Sequence, residues 1–76
     1  MDMRRLVGRN VRRFRHAARL SQEQLAERAG FGQQYISDLE RGRENPTVVT
    51  LFELAQALGV RPVDLIWPEE EGAAPK

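Results

Sequence analysis

Between Gly32 and Gly42 the sequence reads QQYISDLER, and its polar residues are spaced in a way that could do chemistry. Gln33, Gln34, Ser37, Asp38 and Arg41 recur at i, i+1, i+4, i+5 and i+8. On an α-helix those positions share one continuous face, and Ile36 and Leu39 fall on the other. A glutamine amide carries a donor and an acceptor side by side, which matches N6 and N7 of adenine in the major groove of duplex DNA. A carboxylate such as Asp38 accepts from a cytosine amino group, or excludes phosphate and so tightens register. The same residues are simply hydrated on a helix with no ligand, so the spacing alone leaves base reading and plain solvation both open.

Other chemistries find less support. The 76 residues include no cysteine, hence no thiol nucleophile, disulfide or cysteine-ligated zinc, and a single histidine, His16, which makes no metal site alone. No cofactor is indicated, nor a small-molecule ligand. The carboxylates Asp38, Glu40 and Glu44 are not matched by an opposed base, and neither a nucleophile nor a phosphate loop is evident. A chain of this length forms one domain of modest stability, for which a partner subunit would help. No apolar run is long enough for a bilayer, and no signal-peptide core follows the basic N-terminus, so the expectation is a cytoplasmic protein without a membrane partner.

The formal net charge of +1 hides an asymmetry: residues 1–45 carry +4 and residues 46–76 carry −3. Seven arginines lie between Arg4 and Arg19. Guanidinium stays charged and offers a fork of donors suited to phosphate, although a solvated helix face would look the same in sequence.

The elements that must position the stripe are all helical. Leu6, Val7, Val11, Phe14 and Ala18 form an apolar stripe on a first helix, slightly weakened by Gly8. A second helix starts at Ser21, an N-cap with Gln24 completing a capping box, buries Leu25, Ala26 and Ala29, and ends at Gly30. The third helix carries the stripe, with Ile36 and Leu39 as anchors, Gly42 at its end and Pro46 blocking continuation. A fourth begins near Thr47, with apolar Val48, Leu51, Leu54, Ala55 and Leu58, and stops at Gly59. Pro62 opens a short fifth helix with Val63, Leu65 and Ile66, and Pro68 ends the fold. The acidic EEEGAAPK segment reads as disordered. The expected architecture is an all-α, compact five-helix bundle, residues 1–67, with a tail at 68–76. Trp67 either caps the core or joins Leu65 and Ile66 in a dimer interface. The AGFG turn between helices two and three suits a helix-turn-helix.

The strings LSQEQLAERAG, QQYISDLERGRENP and LFELAQALGV resemble the Cro/CI-type (XRE) helix-turn-helix family of phage and bacterial repressors. The resemblance covers about residues 4–67. It implies a lambda-repressor-like bundle that binds double-stranded DNA, usually as a homodimer on a two-fold operator. It implies phosphate contact and bracing for Gln22, base reading for Gln33, Gln34 and Asp38 with Ser37 close by, and backbone contact for Tyr35. Arg41, Arg43 and Asn45 match the loop that grips phosphate. Arg15 aligns with an arginine that pairs with the acid of the E-x-G element, here Glu40, and both are expected to be structural. Of the remaining helix-one arginines, one or two are expected at phosphate. Gly32 departs from the commoner Ser or Thr cap.

The expected function is a DNA-binding transcriptional regulator, a homodimeric repressor or autoregulator, with half-sites about 34–36 Å apart. A restriction–modification controller, an antitoxin and a prophage repressor share the fold and remain open. So does a protein-interaction adaptor with little DNA affinity, against which the glutamine pair and the phosphate-type loop both count.

Overall fold

Five helices follow one another in the computed structural model, which describes residues 2–72, 74 and 75. They are α1 (Met3–Ala17), α2 (Gln22–Ala29), α3 (Gln33–Glu40), α4 (Val48–Leu58) and α5 (Pro62–Ile66), with no strand among the described residues.

Local chemistry explains most of the boundaries. The Asp2 carboxylate accepts from the Arg4 and Arg5 N–H groups and opens α1. Ser21 and Gln24 form the reciprocal capping box at α2, with bonds of 3.0 and 2.8 Å. Thr47 Oγ1 accepts from the Thr50 N–H at α4, and Pro62 occupies the first turn of α5. α3 alone starts from a residue without a side chain to cap it, Gly32. α1 ends in a tight turn in which Leu20 N–H reaches back to the Arg15 carbonyl and Arg19 takes φ 60°. This removes Ala18 from the helix and leaves it exposed, while Leu20 turns into the core.

α1 packs on α3 and α5, α2 on α3 and α4, and α4 on α5. Val11, Leu25, Ile36, Leu39, Leu54 and Leu65 are fully buried where these helices meet. Two further sequence expectations change. Val48 was expected on the apolar face of α4 but is 82% exposed, because the first turn of α4 projects past the core. Gly8 is more than a weak point in α1. A Cβ there would lie 2.5 Å from the Leu39 carbonyl oxygen and 2.9 Å from that of Glu40. The missing side chain lets α1 lie directly on the C-terminal carbonyls of α3.

Asn10 is a buried polar residue that helical spacing did not single out. Its Nδ2 donates to the carbonyls of Leu65 and Trp67 at 2.9 and 3.0 Å, satisfying backbone acceptors at the end of α5. Past Pro68, Glu69–Glu71 forms a 3-10 turn, with Arg13 Nε 3.2 Å from Glu69 Oε2. Arg61 donates to the carbonyls of Ala74 and Pro75. The rest of the expected tail, residues 73 and 76, lies outside the described residues.

Gly8→Ala should raise helix propensity by about 1 kcal/mol. Its methyl would meet backbone that has little room to shift, so a net loss of about 1–3 kcal/mol is expected. Denaturant unfolding of the two proteins measures the difference.

Candidate nucleic-acid interface

The outer face of α3 is held in place from behind. Arg15 of α1 and Glu40 at the end of α3 form a two-bond pair, Nε to Oε2 at 2.6 Å and Nη2 to Oε1 at 3.0 Å. The side chains are 9% and 4% exposed. The third guanidinium nitrogen, Nη1, donates to the Leu20 carbonyl at 2.9 Å, and Gln22 Nε2 of α2 donates to Glu40 Oε1 at 3.2 Å. One buried ion pair therefore joins α1, the turn after it, α2 and α3. Gln22, which the resemblance assigns to phosphate, is half-buried and braces α3 through this bond.

The α2–α3 turn completes the support. Gly30 closes α2 at φ 82°, where a side chain would be strained, and Phe31 N–H returns to the Ala26 carbonyl. Phe31 and Tyr35 then stack, with ring centroids 5.1 Å apart. Burial raises the Tyr35 pKa above its ordinary value, the Glu44 carboxylate adds to this, and a hydrogen bond with Thr50 opposes it. The phenol is a neutral donor at pH 7, partly enclosed between α3 and the start of α4.

Gln33 and Gln34 occupy the first turn of α3 and are exposed, while Ser37 and Asp38 are half-buried on the same side. Gln34 Nε2 donates to Asp38 Oδ1 at 3.1 Å, which orients the amide and commits one of its protons. The Asp38 carbonyl accepts from the backbone of Arg41 and Arg43, folding the loop against the end of α3. Arg41, Arg43 and Asn45 are exposed beside it. The structure thus brings the stripe and the loop to one side of the molecule, and they join no ion pair among the described residues. No group of three His, Cys, Asp or Glu among those residues could hold a metal ion.

The expected interface residues separate. Leu65 is fully buried inside its own protomer and has no surface to offer a partner, because α5 packs it into the core between α1 and α4. Ile66 is 39% exposed. Trp67 is half-buried, and its Nε1 is enclosed with no hydrogen-bond partner among the described residues. A larger apolar set lies on α4, where Val48, Val49 and Phe52 are all exposed. The sequence carried a sign of this: Val49 and Phe52 fall off the Leu51, Leu54, Ala55 and Leu58 stripe, so they had to face outward. Met3 and Ile66 line a shallow depression with Pro46 and Leu51 near the same end of α4.

Comparison with known proteins gives concordant matches. The helix-turn-helix family profile matches residues 11–65. A protein of Sinorhizobium fredii, named an uncharacterized HTH-type transcriptional regulator, y4dJ, is 61% identical over 71 residues, 93% of this chain and 92% of that one. The crystal structure of the hypothetical transcription factor NHTF from Neisseria superposes with a TM-score of 0.89 at 37% identity, covering 92% of this chain and 80% of the other. The restriction-modification controller protein C.AhdI from Aeromonas hydrophila superposes with a TM-score of 0.79 at 37% identity, covering 82% and 90%.

Arg15→Ala would strand Glu40 without its main partner, and a buried pair broken on one side typically costs about 3–5 kcal/mol. Arg15→Lys keeps the charge but not the fork, and should fall between the two. Thermal melting measures both, and a native midpoint for Arg15→Ala would contradict the structural role.

Proposed function

This chain belongs to the Cro/CI-type (XRE) helix-turn-helix family of DNA-binding transcriptional regulators, and from that premise we propose how it binds. It acts as a homodimeric repressor or autoregulator. Each protomer sets the first turn of α3 in the major groove, where Gln33, Gln34, Ser37 and Asp38 meet base edges. The observation that carries this reading is the division of α3: Ile36 and Leu39 are fully buried, Gln33 and Gln34 are exposed, and a buried ion pair holds the helix from its far end. The Gln34–Asp38 bond supports a presented amide rather than a mobile one.

Affinity comes from the backbone. Arg41, Arg43, Asn45 and Gln22 contact phosphate, with the Tyr35 phenol as a neutral donor, and the counterions they displace make binding salt-dependent. Dimerisation uses the exposed apolar turn of α4. Val48, Val49 and Phe52 lie just past the phosphate-gripping loop, so a two-fold axis there sets two recognition helices on one side of a duplex. A symmetric dimer of this kind reads half-sites one helical turn, about 34–36 Å, apart. Controller proteins such as C.AhdI are one kind of regulator with this fold, and a restriction endonuclease gene beside this one would be the sign of that role.

Two outcomes test this. On duplexes with single base-pair changes in a bound site, Gln33→Ala and Gln34→Ala should each erase preference at particular positions, about 1–3 kcal/mol at each. Uniform weakening on all sequences would remove the base-reading role. Phe52→Asp should convert the dimer to monomer in sedimentation without lowering helix content, and an unchanged dimer would move the interface elsewhere.

A further inference from the structure

Asp38 is an acid that the fold does not ask for. Aspartate is a poor helix former, and here it lies toward the C-terminal end of α3, where the helix dipole disfavours negative charge. Glu40, a second carboxylate, follows soon after, and the last turn of α3 holds no basic residue. The Asp38 carboxylate enters no ion pair among the described residues, although Arg41 and Arg43 are near in the chain. The carbonyl that folds the following loop belongs to the Asp38 backbone, which any residue would supply. The side chain has one partner: Oδ1 accepts from Gln34 Nε2 at 3.1 Å, one turn earlier on the same face.

That bond has a sense. A glutamine amide without a fixed partner turns over and exchanges its donor and acceptor ends. Turned over, Gln34 would set Oε1 against a carboxylate that has no proton to give. Asp38 therefore keeps Nε2 on its own side and Oε1 away from it. One N–H is committed to Oδ1, and the other remains beside Oε1. The edge left for a ligand is one donor and one acceptor. Adenine presents the matching pair in the major groove, an acceptor at N7 and a donor at N6. Guanine presents two acceptors, N7 and O6, and the amide has only one proton left for them. Gln33 has no such constraint. Its neighbour one turn on is Ser37, whose hydroxyl both donates and accepts, and Gln33 enters no side-chain hydrogen bond among the described residues.

We infer that Asp38 is a positioning residue that makes Gln34 a reader of adenine in preference to guanine. This deepens the DNA-reading proposal above and rests on it. That proposal needs only that α3 meets base edges. Here one base is assigned to one amide, together with the carboxylate that fixes the amide's sense, and Asp38 acts on that base through Gln34.

The test measures fluorescence anisotropy of native protein, Gln34→Ala, Asp38→Ala, Asp38→Asn and the double variant Gln34→Ala/Asp38→Ala on a selected duplex. The base pair read by Gln34 is the one at which Gln34→Ala loses preference, and it is presented as A·T or as G·C. Native protein should prefer adenine there by about five-fold or more. Asp38→Ala should cut that ratio to about two-fold or less while preferences at other base pairs persist. Asp38→Asn should do the same, because its amide offers Gln34 a donor as well as an acceptor and so permits both senses. In the Gln34→Ala background, Asp38→Ala should change the ratio no further. Thermal melting of Asp38→Ala should be native or higher, since a poor helix former is replaced by a good one. An adenine preference that survives Asp38→Ala overturns the inference, as does a native preference for guanine. Lost preference at a different base pair, with that of Gln34 intact, makes Asp38 a reader in its own right and also overturns it. If Gln34→Ala loses preference at no base pair, the DNA-reading proposal has failed and this inference falls with it.

Discussion

A carboxylate withdrawn from water costs several kcal/mol unless the interior supplies its partners, and Glu40 has them all from outside its own helix. Arg15 provides two bonds from α1 and Gln22 a third from α2. The pair is costly to break and only modestly stabilising against a well-packed apolar alternative, so its main consequence is geometric. Bidentate contact tolerates little rotation, and it fixes the end of α3 against two other helices at once. Gly8 is a condition of that contact, since α1 must approach the α3 carbonyls closely for Arg15 to reach. A helix of eight residues with no side-chain cap would be marginal alone. Here its C-terminal end is set by charge, its inner face by Ile36 and Leu39, and its first turn by the Phe31–Tyr35 stack.

That support leaves the outer stripe with little structural duty. The exposed Gln33 enters no side-chain hydrogen bond among the described residues, and the Gln34–Asp38 bond joins two residues of the same face. Polar groups that a fold does not need, held rigidly at one end of a braced helix, are what a recognition surface requires. Arg41, Arg43 and Asn45 follow at once in chain order, and the exposed apolar turn of α4 comes next. Within 20 residues, from Gln33 to Phe52, the chain passes from the base-reading stripe to the phosphate loop to the dimer face of the proposal.

Much of this was legible in the sequence because it is periodic or local. The stripe and its apolar opposite follow from helical spacing, and Ser21, Gln24, Thr47 and Pro62 announce their caps by type. Arg15 and Glu40 were expected as partners only through the family resemblance, since 25 residues of separation carry no local sign of contact. What remained illegible depends on distance in space. Gly8 reads as a weak helix residue until a carbonyl is seen 2.5 Å from its absent Cβ. Asn10 carries no sequence sign of its burial, which comes from α5 ending above it. Leu65 sits beside exposed Ile66, and a five-residue helix turns too few times for spacing to say which faces inward.

The central claim is that a braced α3 reads sequence. Selection of bound duplexes from a random pool by the native protein, followed by sequencing, tests it most directly. The account predicts enrichment of a two-part motif whose halves are centred about one helical turn, 10–10.5 base pairs, apart. Recovery of duplexes with no shared bases, held only by salt-sensitive attraction, would contradict it.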